Sequence, residues 1–94
     1  MPKYAKKIDA NQPAIVAALR DIPGVSVEVD HDDIFIGREG KNYWIEVKES
    51  EKASLQPSQE KLLANWKGHY MIAWNLDMIL EEIGIRVPSK PPQQ

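Results

Sequence analysis

Glu46 and Lys48, two positions apart on one apparent strand, are the residues of this chain best placed to do chemistry. In the run Tyr43-Trp44-Ile45-Glu46-Val47-Lys48 the side chains of a β-strand alternate. Ile45 and Val47 therefore take one face, and Glu46 and Lys48 the other. Asp33 lies thirteen positions before Glu46 (46 − 33) and opens the preceding strand of the same hairpin. A turn at Gly40 lays the two strands antiparallel and can bring Asp33 beside Glu46. Two carboxylates converging beside an ammonium make an oxygen cage for Mg²⁺ or Mn²⁺ next to a proton-handling group. That combination suits phosphodiester hydrolysis, with Lys48 orienting or deprotonating the attacking water.

The plain alternative is an ion pair on an exposed sheet face, because an acidic residue two positions before a lysine recurs by chance. A second copy, Glu39-Gly40-Lys41, falls in a polar turn with no strand to hold it and reads as solvated. What sets the first copy apart is the strand before it, Asp33-Ile34-Phe35-Ile36-Gly37.

The elements that must position these groups follow from periodicity. Asp9 and Asn11 are candidate caps for a first helix, with Pro13 in its first turn. Ile15, Val16, Leu19 and Ile22 share one face of it, and Pro23-Gly24 ends it. Val25, Val27 and Val29 alternate with Ser26 and Glu28 in a half-buried strand. A polar break over residues 30–33 leads into Ile34-Phe35-Ile36, and residues 38–42 form the hairpin turn. After a polar loop, Pro57 suits the start of a helix reaching about Lys67, with Gly68 as its stop. Residues 69–74 read as a strand, apolar on both faces and so expected to be central. Leu76, Ile79, Leu80 and Ile83 mark a last helix closed by Gly84. Helix, three strands, helix, strand, helix describes a compact α/β sandwich.

Composition narrows the chemistry. The chain has 94 residues, enough for one domain, expected to occupy residues 8–86 between a basic arm (1–7) and a disordered Pro-rich tail (87–94). Cysteine is absent, which rules out disulfides and thiolate metal sites, and two histidines favour a hard cation held through oxygen. Apolar runs are too short for a membrane span and no secretory leader is visible, so an intracellular, cytoplasmic protein is expected. Twelve basic against fourteen acidic side chains do not by themselves advertise nucleic-acid binding, so the distribution of charge must carry it.

With those residues in view, the sequence resembles the PD-(D/E)xK nucleases. More narrowly it resembles the virus-type replication-repair nuclease (VRR-NUC) domain in its stand-alone phage form. The likeness rests on Asp33 to Gly37, Tyr43 to Lys48, the run Leu55-Gln56-Pro57-Ser58-Gln59 and the opening Asp9-Ala10-Asn11-Gln12-Pro13, and spans roughly residues 8 to 83. It implies a restriction-endonuclease-like αβββαβ core with a mixed sheet flanked by helices. It further implies Asp33 and Glu46 as metal ligands, the main-chain carbonyl of Val47 as a third, Lys48 as catalytic lysine and Gln59 as a supporting glutamine. The sequence departs from the family pattern twice. Asp32 stands where the family has proline before the catalytic aspartate. Where many relatives carry a glutamate in the first helix, this chain offers Asp9, Asn11 and Gln12.

Gln59 also follows from helix geometry. Residues 59, 62, 63 and 66 share a face, and Leu62, Leu63 and Trp66 are expected to meet the sheet. An inward amide needs hydrogen-bond partners, which places Gln59 near the site, and Asn11 and Gln12 follow more weakly as supporting groups. Trp44 and Trp66 read as packing residues rather than base-stacking platforms, His31 as an idle loop residue, and Glu28, Asp30 and Asp32 as a solvated rim. Lys3, Lys6, Lys7, Lys52, Lys61 and Lys67 are possible contacts to DNA phosphates, each more often a simple surface charge.

These residues lead to the expectation of a Mg²⁺- or Mn²⁺-dependent DNA endonuclease that reads structure rather than sequence, since no base-reading helix is visible. The resemblance implies branched DNA such as four-way (Holliday) junctions. Cutting two strands symmetrically calls for a homodimer. The competing expectation is a catalytically silent DNA-binding or partner-binding module of the same fold.

Overall fold

Strand patterning in this sequence resolves into four strands: β1 (Ser26–Asp30), β2 (Asp33–Arg38), β3 (Lys41–Val47) and β4 (Tyr70–Ala73). Three helices accompany them: α1 (Gln12–Arg20), α2 (Pro57–Asn65) and α3 (Leu76–Glu82). The computed structural model describes residues 12–50 and 52–86. Chain order is therefore α1, three strands, α2, β4, α3, an α/β fold with the expected αβββαβ order. The basic arm with Lys3, Lys6 and Lys7, the cap candidates Asp9 and Asn11, and the Pro-rich tail lie outside the described residues. No helix among the described residues is long and apolar enough to cross a membrane.

The strands lie in the order β1-β2-β3-β4. The first three are antiparallel neighbours joined by two-residue turns. Arg38 pairs with Lys41, which leaves Glu39 and Gly40 to make the turn at φ +54° and +80°. Positive φ at both central positions matches the right-handed twist of the flanking strands, and glycine adopts it without steric penalty. Asp30 pairs with Asp33, so His31-Asp32 forms the other turn, with His31 at φ +58°. β4 runs parallel to β3, which requires a crossover, and α2 lies in it.

One face of the sheet carries the aliphatic core. Val27, Ile34, Ile36, Ile45 and Ala73 meet Ile15, Val16, Ala18 and Leu19 of α1, and Leu76, Ile79 and Leu80 of α3, with Ile83 just beyond. Each fully buried aliphatic side chain of this size contributes about 1.5–3 kcal/mol. Asn75 caps α3 by accepting from the Met78 N–H at 2.9 Å, and Gly84, at φ +88°, ends the helix. Arg38 Nη1 donates to the Ile83 carbonyl at 2.8 Å and ties the hairpin to that end.

The opposite face holds Asp33, Phe35, Trp44, Glu46 and Tyr70. Trp44 is its centre, stacked on Phe35 (centroids 5.8 Å, 29°) and met edge-on by Tyr70 (4.9 Å, 73°) and Trp66 (5.2 Å, 88°). The packing role expected of Trp44 and Trp66 is thus present.

Three expectations need correction. β4 is at the edge of the sheet, not its centre. Its two apolar faces are explained by α2 on one side and α3 on the other. α2 ends at Asn65 rather than near Lys67, with Trp66 already extended (φ −68°, ψ 128°). Gly68 is not the helix stop: it stands where a Cβ would come within 2.9 Å of Trp66 Nε1, so it makes room for the indole. Lastly, α2 buries none of its residues fully. Leu62 is half-buried, whereas Leu63 and Trp66 are 45% and 51% exposed, so α2 covers this face only in part.

Candidate active site

Antiparallel pairing in this register sets Asp33 directly opposite Glu46, at the end of the β2–β3 ladder remote from the Glu39-Gly40 turn. The ladder reaches one step further, where the Val47 N–H donates to the Asp32 carbonyl (3.4 Å), and the Lys48 N–H bonds the Ala73 carbonyl of β4 (2.9 Å). Glu46 and its surroundings are therefore held by backbone on both sides. Asp33 faces Glu46 closely enough to raise the proton affinity of the Glu46 carboxyl.

Glu46 is 5% exposed, the one buried charged side chain among the described residues. Burial first, then the hydrogen bond and negative charge of Asp33, push its carboxyl from 4.5 up to about 7. Asp32 adds to that rise and the Lys48 ammonium opposes it. Lys48, one residue past the end of β3, is thus within electrostatic reach of Glu46, though it is not among the residues lining the cavity beside Asp33 and Glu46.

The raised value has a sign that can be checked. A carboxyl that binds its proton more tightly in the folded protein contributes stability fully below 4.5. That contribution is lost as pH rises through about 7. Without divalent cations, the protein should therefore lose up to about 3 kcal/mol between pH 4.5 and 8 through this group. Glu46→Gln should remove that slope. Equal slopes for wild type and variant in urea titrations across this range would refute it.

Gln59 reaches the same place. It lines an open cavity of about 220 Å³ together with Asp32, Asp33, Glu46, Ser58 and Tyr70. Its Oε1 accepts from the Gln56 N–H (2.8 Å), so the partner expected of this inward amide is the first turn of its own helix. Gln12 takes a supporting place: its Nε2 donates to the His31 carbonyl (2.6 Å), anchoring α1 to the turn that precedes Asp33. His31 is exposed and pairs with Asp30 at 2.9 Å. Lys52, Lys61 and Lys67 are exposed, and the Lys52 N–H bonds Ser50 Oγ (3.2 Å) within the loop before α2. Asn11 lies outside the described residues.

Tyr70 is the residue that sequence reasoning missed. Its Cα pairs with Trp44 across the parallel β3–β4 ladder, which puts it beside the carboxylate pair. Burial and the charges of Glu46 and Asp33 push its phenol up to about 12. The signal available in sequence was a hydroxyl-bearing residue inside an otherwise apolar strand.

Which groups could hold a metal follows from this donor set. Among the described residues no three His, Cys, Asp or Glu side chains gather as a cage. A hard cation would have Asp33, Glu46 and the Val47 carbonyl, completed by water and substrate phosphate, and few protein carboxylates is the ordinary case for Mg²⁺. The pair fits such an ion. Two acidic groups held side by side are relieved by a divalent charge between them. A larger groove of about 640 Å³ runs along Phe35, Gly37, Trp44, Trp66 and His69, but it holds no paired carboxylates.

Comparison with protein-family models, with curated proteins and with solved structures returns no match to this chain.

Proposed function

We propose that this chain is a divalent-metal-dependent nuclease of the VRR-NUC kind within the PD-(D/E)xK superfamily, hydrolysing phosphodiester bonds in DNA. The observation that carries the reading is the register pairing of half-buried Asp33 with buried Glu46, with Lys48 one residue past the end of β3 and within electrostatic reach of Glu46. Asp33, Glu46 and the Val47 carbonyl are the oxygen donors for Mg²⁺ or Mn²⁺. The bound ion would supply Lewis-acid charge to polarise the phosphoryl group. Lys48 orients the attacking water as an ammonium, or takes the proton of that water when present as the neutral amine. Gln59, fixed at the start of α2, turns its amide toward the same cavity. Partial cover by α2 leaves the cavity open to a polymer rather than sealed around a small molecule.

The substrate class favoured is branched DNA, because so small a surface has little room to read base sequence. Two copies related by a twofold axis would cut opposed strands of a junction. The exposed Leu63 of α2 and Trp66 just after it give such a dimer apolar surface to bury.

The deciding experiment offers labelled four-way junction, flap, duplex and single-stranded DNA with Mg²⁺ or Mn²⁺, to wild type and Glu46→Ala together. Cleavage of a branched substrate that disappears with EDTA and in the variant is expected. If wild type binds DNA and never cuts it, the protein is a binding module that kept the fold without turnover.

A further inference from the structure

The cavity beside the carboxylate pair has a mixed lining: the acidic Asp32, Asp33 and Glu46, and the neutral donors Ser58, Gln59 and Tyr70. Because Gln59 Oε1 already accepts a hydrogen bond from the Gln56 N–H, the amide NH₂ is the end left to donate. Tyr70 differs from the other neutral donors. Its hydroxyl is buried and has no hydrogen-bond partner among the described residues. An unpaired buried hydroxyl costs stability, so its retention asks for a use outside packing. Edge-on contact with Trp44 (4.9 Å, 73°) restrains the ring, so the phenol has little freedom to turn elsewhere. A phenol carries one O–H, which leaves this hydroxyl able to donate.

We infer that Tyr70 is a further catalytic residue, its hydroxyl donating a hydrogen bond to a non-bridging oxygen of the scissile phosphodiester seated in this cavity. The inference rests on the nuclease reading above and adds how the chain receives the anion. An acidic lining alone repels a phosphodiester. Neutral donors in the same lining donate to the phosphoryl oxygens, whose negative charge grows toward the transition state, and a preorganised donor there strengthens as charge develops. No proton is transferred from Tyr70 and no bond to it is made or broken.

Tyr70→Phe deletes the hydroxyl and keeps the ring, and its effects should have opposite signs. Its thermal midpoint should equal or exceed that of wild type, because no protein hydrogen bond is lost. Single-turnover cleavage of junction DNA with Mn²⁺ should fall roughly 10²-fold, with Mn²⁺ affinity by calorimetry unchanged. A phosphorothioate at the scissile position should slow wild type for one stereoisomer, and the variant should lose part of that discrimination. A variant that cuts within about twofold of wild type overturns the inference alone. So does one that unfolds more easily, since the hydroxyl then serves packing. A wild type that cuts no DNA removes the nuclease reading, and the inference with it.

Discussion

Lys48→Ala is expected to slow hydrolysis of branched DNA by about 10²–10⁴-fold, the range for loss of a positioned acid or base. Mn²⁺ and DNA binding should stay near wild type. In the proposed mechanism Lys48 belongs to the proton-handling side of the site and Asp33, Glu46 and the Val47 carbonyl to its oxygen-donor side, and the two can be separated by experiment. The ammonium is also the one group among those acting on Glu46 that lowers its proton affinity. Removing it raises the Glu46 carboxyl further and would weaken metal binding at neutral pH. Metal affinity should therefore be compared at pH 8 or above, where the carboxylate is ionised in both proteins. Single-turnover rates with calorimetric Mn²⁺ titration make the comparison. A variant that cuts at the wild-type rate removes Lys48 from the mechanism. One that also loses metal binding at high pH assigns it to holding the pair instead.

Ile45→Ala should cost about 2–5 kcal/mol of folding stability. Ile45 is fully buried, paired with Ile34 on one side and Met71 on the other, in a strand with neighbours along both edges. Truncating it leaves a cavity that neither rigid strand can close. A single domain of this size holds only about 5–15 kcal/mol in total, so the loss is a large fraction of what keeps it folded. In urea the midpoint should fall with the slope unchanged, since the surface exposed on unfolding hardly alters. A loss below about 1 kcal/mol would place the core elsewhere. The residue also abuts Glu46 in sequence, so the same variant separates folding defects from defects of chemistry.

The hairpin was legible because its signals are local. Alternation puts Glu46 and Lys48 on one face and Ile45 on the other, and Gly40 marks the turn, so the meeting of Asp33 with Glu46 could be read from spacing. The place of β4 could not. A strand apolar on both faces reads as central, yet here helices on two sides of an edge strand satisfy the same pattern. The end of α2 was hidden for a related reason. Asn65, Trp66 and Lys67 do not forbid helix, and contact of the Trp66 indole with Trp44 accompanies extended backbone there. Gln59 lines the cavity with Asp33 and Glu46, but its hydrogen bond goes back to Gln56, a capping arrangement that its inward stripe did not announce. Tyr70 escaped notice because its role depends on the parallel register with β3, which no local pattern encodes.

The Glu39-Gly40 turn is about 20 Å from Glu46 along the strand, yet it sets the phase of everything beyond it. Strand side chains alternate with a period of two, so parity decides which residues share a face. Changing the loop by one residue would interchange the two sides of β3, sending the carboxylate and the amine among isoleucines and Ile45 to the face that now carries Asp33 and Tyr70. The alignment of the acidic pair is thus a counting property of a distant bend, kept by the left-handed backbone of two adjoining residues.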